Sequence, residues 1–309
     1  MSPPPESPGY EPARPSRRVL GPVFGLACLV ATSSGVVALS ILLGAVVAAV
    51  ARGAGGLGAI PQFLVHLMTS PQSTDPTRAG FRAGVAGSLW LLGLVAAFAI
   101  PVGIGAAVYL EEYAPPGRIR RLIQLNIANL AGVPSIVYGL LGLALFVRAF
   151  GAKGLALGPT LWAGSLTLAL LVLPVIVIAT QEALRTVPGS LRQAALALGA
   201  SRWQVVRDHV LPSAVPGILT GVILSLSRAI GETAPLLMVG AAGAILRMPK
   251  GPSSLYTALP VEIYYTAREP DPRYLAVTAG GILLLLALLL TMNAAAILIR
   301  NRYARSPRG

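Results

Sequence analysis

Apolar residues along this chain come in long unbroken blocks. They neither alternate like a half-buried strand nor recur every three to four positions like a surface helix. Six blocks reach the roughly 20 residues that a membrane-crossing helix needs. They run Val19–Val50, Val85–Leu110, Leu122–Val147, Pro159–Thr180, Ser213–Leu246 and Tyr274–Ile299. The predicted architecture is all-α: a polytopic membrane protein with six transmembrane helices. Residues 1–18 are proline-rich and polar and read as a disordered cytoplasmic tail, 19–50 as the first transmembrane helix, and 301–309 as a C-terminal tail. Ala49-Val50-Ala51 resembles a cleavage site and Ser16-Arg17-Arg18 a twin-arginine signal. The first block is nevertheless too long for the about 7–15 residues of a signal-peptide core, so a retained span is expected.

Composition narrows the class. Only 11% of the 309 residues are charged and 55% are hydrophobic, whereas a soluble domain carries roughly 25% charged residues. A soluble enzyme is excluded on that ground, and a disordered chain by the apolar content. The single cysteine, Cys28, leaves no disulfide within the chain and no cysteine-based metal site. A net charge of +13 would suggest nucleic acid in a soluble protein, so the positions of the charges decide. With the N-terminus inside, the inner segments hold 14 arginines and the outer segments 9 basic residues. The positive-inside rule then places both termini in the cytoplasm. The excess charge is explained by topology in the lipid bilayer, with no nucleic-acid partner.

Two segments carry candidate chemistry. The inner loop Gln181–Leu211 is amphipathic: Leu184, Val187, Leu191, Ala194, Ala195 and Leu198 share a face, with Arg185, Arg192 and Gln193 between them. Gly199 breaks the pattern, and a short piece with Trp203 follows. Such a segment either lies on the membrane surface or docks on a cytoplasmic partner. The second segment is Arg228 and Glu232 inside the fifth block. A charge at a bilayer centre costs about 2.5–3.5 kcal/mol on insertion scales, so both residues should face protein or a watery path. Spaced four apart, they are expected on one helix face as a pair, with Pro235 kinking the helix beyond them. They are either a packing ion pair or part of a translocation path, where a guanidinium suits an oxyanion and Thr233 adds a hydroxyl.

The residues themselves resemble a known family. Gln193-Ala194-Ala195, then Gly199, then His209-Val210-Leu211-Pro212 resembles the EAA loop of ABC importer permeases, with Gln193 in place of the Glu and His209 in place of the Ile. Arg228-Ala229-Ile230-Gly231-Glu232-Thr233-Ala234-Pro235-Leu236-Leu237 is similar to the signature of the phosphate-specific permeases of that group, the PstA/PstC pair, and its Ala-Pro-Leu-Leu continuation to PstA. Asn129–Leu140 adds a third match. The resemblance implies a type I ABC importer permease fold, with the permease core over 82–300 and the coupling loop over 181–211. It implies that Gln193, Ala194, Ala195, Leu198, Gly199 and Trp203 meet an ATPase, and that Arg228, Glu232 and Thr233 line the substrate path. The implied partners are a second permease (PstC-like), an ATPase dimer (PstB-like) and an external phosphate-binding protein (PstS-like), in the bacterial inner membrane.

The chain itself lacks a nucleotide site. Its two lysines, Lys153 and Lys250, do not follow a Gly-x-x-x-x-Gly frame. ATP and Mg are therefore expected on the partner ATPase, with no cofactor and no metal in this chain. His66 and His209 fall on opposite predicted sides. The rival readings are a permease for another oxyanion such as sulfate or molybdate, and a stand-alone channel, secondary carrier or membrane enzyme.

Overall fold

The computed structural model describes residues 15–149, 156–241 and 248–305, with side chains from 22 to 302 of those ranges. The expected tail over 1–14, Lys153, the end of the fifth block over 242–247 and residues 306–309 lie outside the described residues. The chain divides into two compact units, Met1–Ala48 and Ala49–Gly309. Helix α1 (Pro15–Ala54) takes in residues expected to belong to the polar tail. A proline is accommodated at a first helical position, so the helix can begin ahead of the apolar block.

The second unit holds α2 (Ile60–Thr69), α3 (Arg82–Val108), α4 (Arg118–Ala131), α5 (Ser135–Gly142), α6 (Leu161–Arg185), α7 (Gly189–Ala197), α8 (Arg202–Gln204), α9 (Leu211–Gly231), α10 (Ala234–Val239), α11 (Leu259–Thr266) and α12 (Tyr274–Arg305). Among the described residues, five helices are long and apolar enough to cross a membrane, and the sixth expected span is a bent pair. The axes of α4 and of α5 with its π-helical continuation meet at 103°. The break falls at Gly132-Val133-Pro134, because the residue before a proline is pushed out of the helical region and the proline can only start a new helix. The expected span Leu122–Val147 thus consists of two limbs. The basic first limb, α4, buries none of its residues. Helix α12 also runs through Arg305, so part of the expected C-terminal tail is helical.

Helix α6 lies at the centre, packing most extensively on α3 and then on α9. Its Leu161, Val172, Ile176 and Leu184 are fully buried. Lipid tails are as apolar as leucine, so burial alone does not hold such helices together; close backbone approach at small residues does. Gly217 and Gly221 of α9 face Ala183 and Ala179 of α6, and a Cβ at Gly217 would stand 2.8 Å from that of Ala183. A Gly-x-x-x-Gly stripe here meets an Ala-x-x-x-Ala stripe.

At one end of the bundle the segment Met248–Arg273 folds back into the core. Tyr256 is fully buried against Gly164 of α6. Tyr264 and Tyr265 remain partly exposed, with ring centroids 5.6 Å apart. The Leu259 N–H donates to the Ser88 hydroxyl at 2.9 Å, tying α11 to α3. Glu262 of α11 is 1% exposed, and its carboxyl oxygens make no well-formed hydrogen bond. Burial pushes its carboxyl up to about 8, and the Gly84 N–H at the start of α3 offsets this only in part.

The folded protein therefore holds a proton on Glu262 that the unfolded chain gives up near 4.5. Stability from this group is complete below that value and is lost as pH rises toward about 8. Thermal unfolding of detergent-solubilised protein should show stability declining across this window, by no more than about 1.4 kcal/mol per pH unit. Glu262→Gln should flatten that decline; an unchanged slope in the variant would rule out Glu262 as its source.

Candidate functional site at a broken helix and a basic loop

The fifth span stops early. Helix α9 ends at Gly231, Glu232 is extended (φ −75°, ψ 115°), and α10 starts at Ala234 with Pro235 in its first turn. The expected kink at Pro235 is corrected to a break ahead of it, at Glu232-Thr233. Proline has no N–H to continue α9, but it fits a helix start. Glu232 therefore caps a helix end, where the sequence reading placed it in mid-span. It still reaches back one turn, and Arg228 Nε donates to Glu232 Oε1 at 3.1 Å. The Arg228 side chain is 45% exposed and that of Glu232 17%. The rest of the Arg228 fork and the Thr233 hydroxyl have no hydrogen-bond partner among the described residues.

The two helix breaks are neighbours in space. Helix α5, which follows the first break, packs on α10, which follows the second. Gly139 permits this: a Cβ there would lie 2.8 Å from Pro235 Cα. The Tyr138 hydroxyl spans the first break and donates to the Leu130 carbonyl at 2.8 Å, supplying a partner to an acceptor at the end of α4. Beside Arg228, the Ser227 hydroxyl meets Asn293 of α12.

At the other end of the bundle, the first residues of the expected loop Gln181–Leu211 continue α6 to Arg185. Helix α7 follows a turn at Thr186–Pro188 and ends at Ala197; Gly199, just past its cap Leu198, has a φ of +84°, the left-handed conformation glycine adopts without strain. Ser201 then caps α8 reciprocally with Gln204. The expected second short piece is fused to the fifth span, because a π-helical stretch Val205–Val210 runs from α8 into α9 without interruption. Leu198 is 90% exposed and Trp203 57%. Gln193, Ala194 and Gly199 are exposed beside them, whereas Ala195 is buried and seats α7 on the bundle. An apolar patch turned outward on a capped, hinged loop has the form of a docking surface.

One element escaped the sequence reading. Residues Tyr109–Tyr113 continue α3 as a π turn, Tyr-Leu-Glu-Glu-Tyr. Glu111 accepts both Arg185 Nε at 3.0 Å and Nη2 at 3.2 Å, and Glu112 accepts Arg192 Nη2 at 2.7 Å. The available signal was two consecutive glutamates ending an apolar block, in a chain with only 11 acidic residues and an arginine-rich loop to pair with. His209 is exposed, His66 lies against Ser70, and among the described residues no group of metal-ligating side chains occurs.

The "Probable ABC transporter permease protein YqgI" of Bacillus subtilis is 38% identical over 181 residues, which cover 59% of this chain and 60% of that protein. The phosphate transport system permease protein PstA 1 of Mycobacterium tuberculosis is 37% identical over 214 residues, covering 69% of this chain and 68% of its own. In fold, the chain is similar to a subunit in the crystal structure of a bacterial alginate ABC transporter in complex with alginate pentasaccharide-bound periplasmic protein. The TM-score is 0.66 at 18% identity, over 95% of this chain and 98% of that one. The fold is that of a type I ABC importer permease. Residues 99–303 match the family described as the binding-protein-dependent transport system inner membrane component, and the chain belongs to that family.

Proposed function

We propose that this chain is the permease subunit of an ATP-driven phosphate importer, forming half of the transmembrane path for inorganic phosphate beside a second, related permease. The observation that carries the reading is the Arg228 guanidinium, held by Glu232 at a broken membrane helix with donors to spare. The relatives that are phosphate transport system permease proteins support the choice of substrate. A planar fork offers a tetrahedral oxyanion two parallel hydrogen bonds. Glu232 aims the fork and, by its negative charge, weakens its grip, so that release can follow capture. Thr233 adds a hydroxyl at the same point.

The chain is a non-enzymatic membrane component. ATP and Mg bind to a partner ATPase dimer, and an external phosphate-binding protein delivers the substrate. The basic end lies in the cytoplasm with both termini, as the positive-inside rule requires. Helix α7 with Leu198 and Trp203 docks on the ATPase. Closure of the ATPase pair draws the loops of the two permeases together and turns the path outward; reopening turns it inward.

Labelled-phosphate uptake at low external phosphate tests the path, in cells expressing the whole complex. Arg228→Gln should cut uptake about tenfold or more while the complex still assembles, and Glu232→Gln should impair it too. Wild-type rates in both variants and in the double change would remove the pair from the path. Competition by sulfate or molybdate equal to that by phosphate would move the substrate assignment to another oxyanion. Docking has its own test: Leu198→Asp should reduce co-purification of the ATPase about tenfold. Unchanged recovery would place the contact elsewhere.

A further inference from the structure

The loop Gln181–Leu211 must do more than touch a partner. A motion imparted to α7 moves the substrate path only if α7 is fastened to the spans. Ala195 seats it by apolar packing, and its charged fastening comes from the π turn Tyr109–Tyr113. Its two glutamates hold different things. Glu111, 14% exposed at the side chain, accepts from Arg185 and Gln181 of α6 and from Arg120 of α4. It joins three membrane segments. Glu112, 10% exposed, takes Arg192 of α7 through Nε at 3.2 Å and Nη2 at 2.7 Å. Arg192 also donates to the Val187 carbonyl at 2.8 Å and the Leu184 carbonyl at 3.0 Å, acceptors just past and within the last turn of α6. The next residue, Tyr113, carries the Arg202 guanidinium over its ring at 5.5 Å. Arg192 and Arg202 flank the Gly199 hinge, so adjacent residues of one turn grip both limbs of the loop.

The geometry is that of a latch. Part-buried charge-assisted pairs of this kind are short and directional. A π turn also marks a place where regular helix has been given up for a function. The outward patch at Leu198 and Trp203 involves none of these groups, so docking and fastening are separable.

We propose that Glu112, with Arg192, is the transmission latch of the permease: a positioning residue that makes α7 and the end of α3 one rigid body, so that movement of the docked loop reaches the path. This rests on the importer reading above for its transport consequence, but the rigidity itself can be read without transport.

The test uses the complete complex in proteoliposomes, with Glu112→Arg, Arg192→Glu and the double swap. Each single change should keep the ATPase bound and hydrolysing within about twofold, while phosphate moved per ATP falls about tenfold or more. The double swap should recover a substantial part. In parallel, spin labels go on Ser190→Cys of α7 and Tyr109→Cys of the π turn, both exposed, in a Cys28→Ser background. The label distance should be the same with and without ATP in the otherwise wild-type protein, and should change with ATP in Glu112→Arg. The latch is overturned if the distance is nucleotide-invariant in Glu112→Arg, or if it already varies without that change. Loss of the ATPase in the single variants, with no recovery in the swap, likewise reduces the pair to a folding contact. If wild type moves no phosphate, the importer reading fails, and the label distances still decide the latch.

Discussion

A helix that stops inside a membrane exposes backbone groups where there is no water to meet them, and the rest of this structure follows from how that constraint is handled. Two of the expected spans stop in this way. At the first break, Tyr138 returns a hydroxyl to the Leu130 carbonyl. At the second, the chain opens at Glu232-Thr233 and presents an ion pair. The two breaks are brought together by α5 and α10, which approach closely because Gly139 leaves room for Pro235. Irregular backbone at membrane depth is tolerated where protein or a watery cavity surrounds it, and that is the setting an ion path needs.

Three polar groupings among the described residues differ in character. Arg228–Glu232 is partly exposed and incompletely satisfied, which suits transient binding. The Glu111 and Glu112 cluster is closely bonded at the basic end and suits the transfer of force. Glu262 is buried at the opposite end and stays protonated at neutral pH, which lets α11 sit on α3 without an unpaired charge. The same economy governs the apolar contacts, where small residues such as Gly217 and Gly221 replace large ones to let backbones meet.

Hydropathy alone made the long helices legible, because a span needs only length and apolarity. Gly132 and Pro134 are helix breakers readable in the third block, but the angle of 103° between its limbs depends on what α5 packs against. Pro235 was read as a kink and is a helix start; both readings satisfy a missing N–H, and only the tertiary packing of α10 selects one. The burial of Tyr256 and Glu262 depends on glycines far away in the chain, at Gly164 and Gly84, so no local pattern announces it. The Glu112–Arg192 pair joins residues 80 positions apart, a contact that no local pattern announces. Arg228, Glu232 and the Gly199 hinge were legible because their chemistry is local: a charge in an apolar block, and a glycine where a helix ends.

The central claim is that the break at Glu232-Thr233 opens onto an aqueous path that anions enter. Its most direct test is chemical access. Thr233→Cys in a Cys28→Ser background, within the complete complex, is exposed to a small anionic thiosulfonate, and the rate of modification is followed with and without inorganic phosphate. The account predicts modification from water that phosphate slows. No modification in any nucleotide state, or a rate indifferent to phosphate, would contradict it.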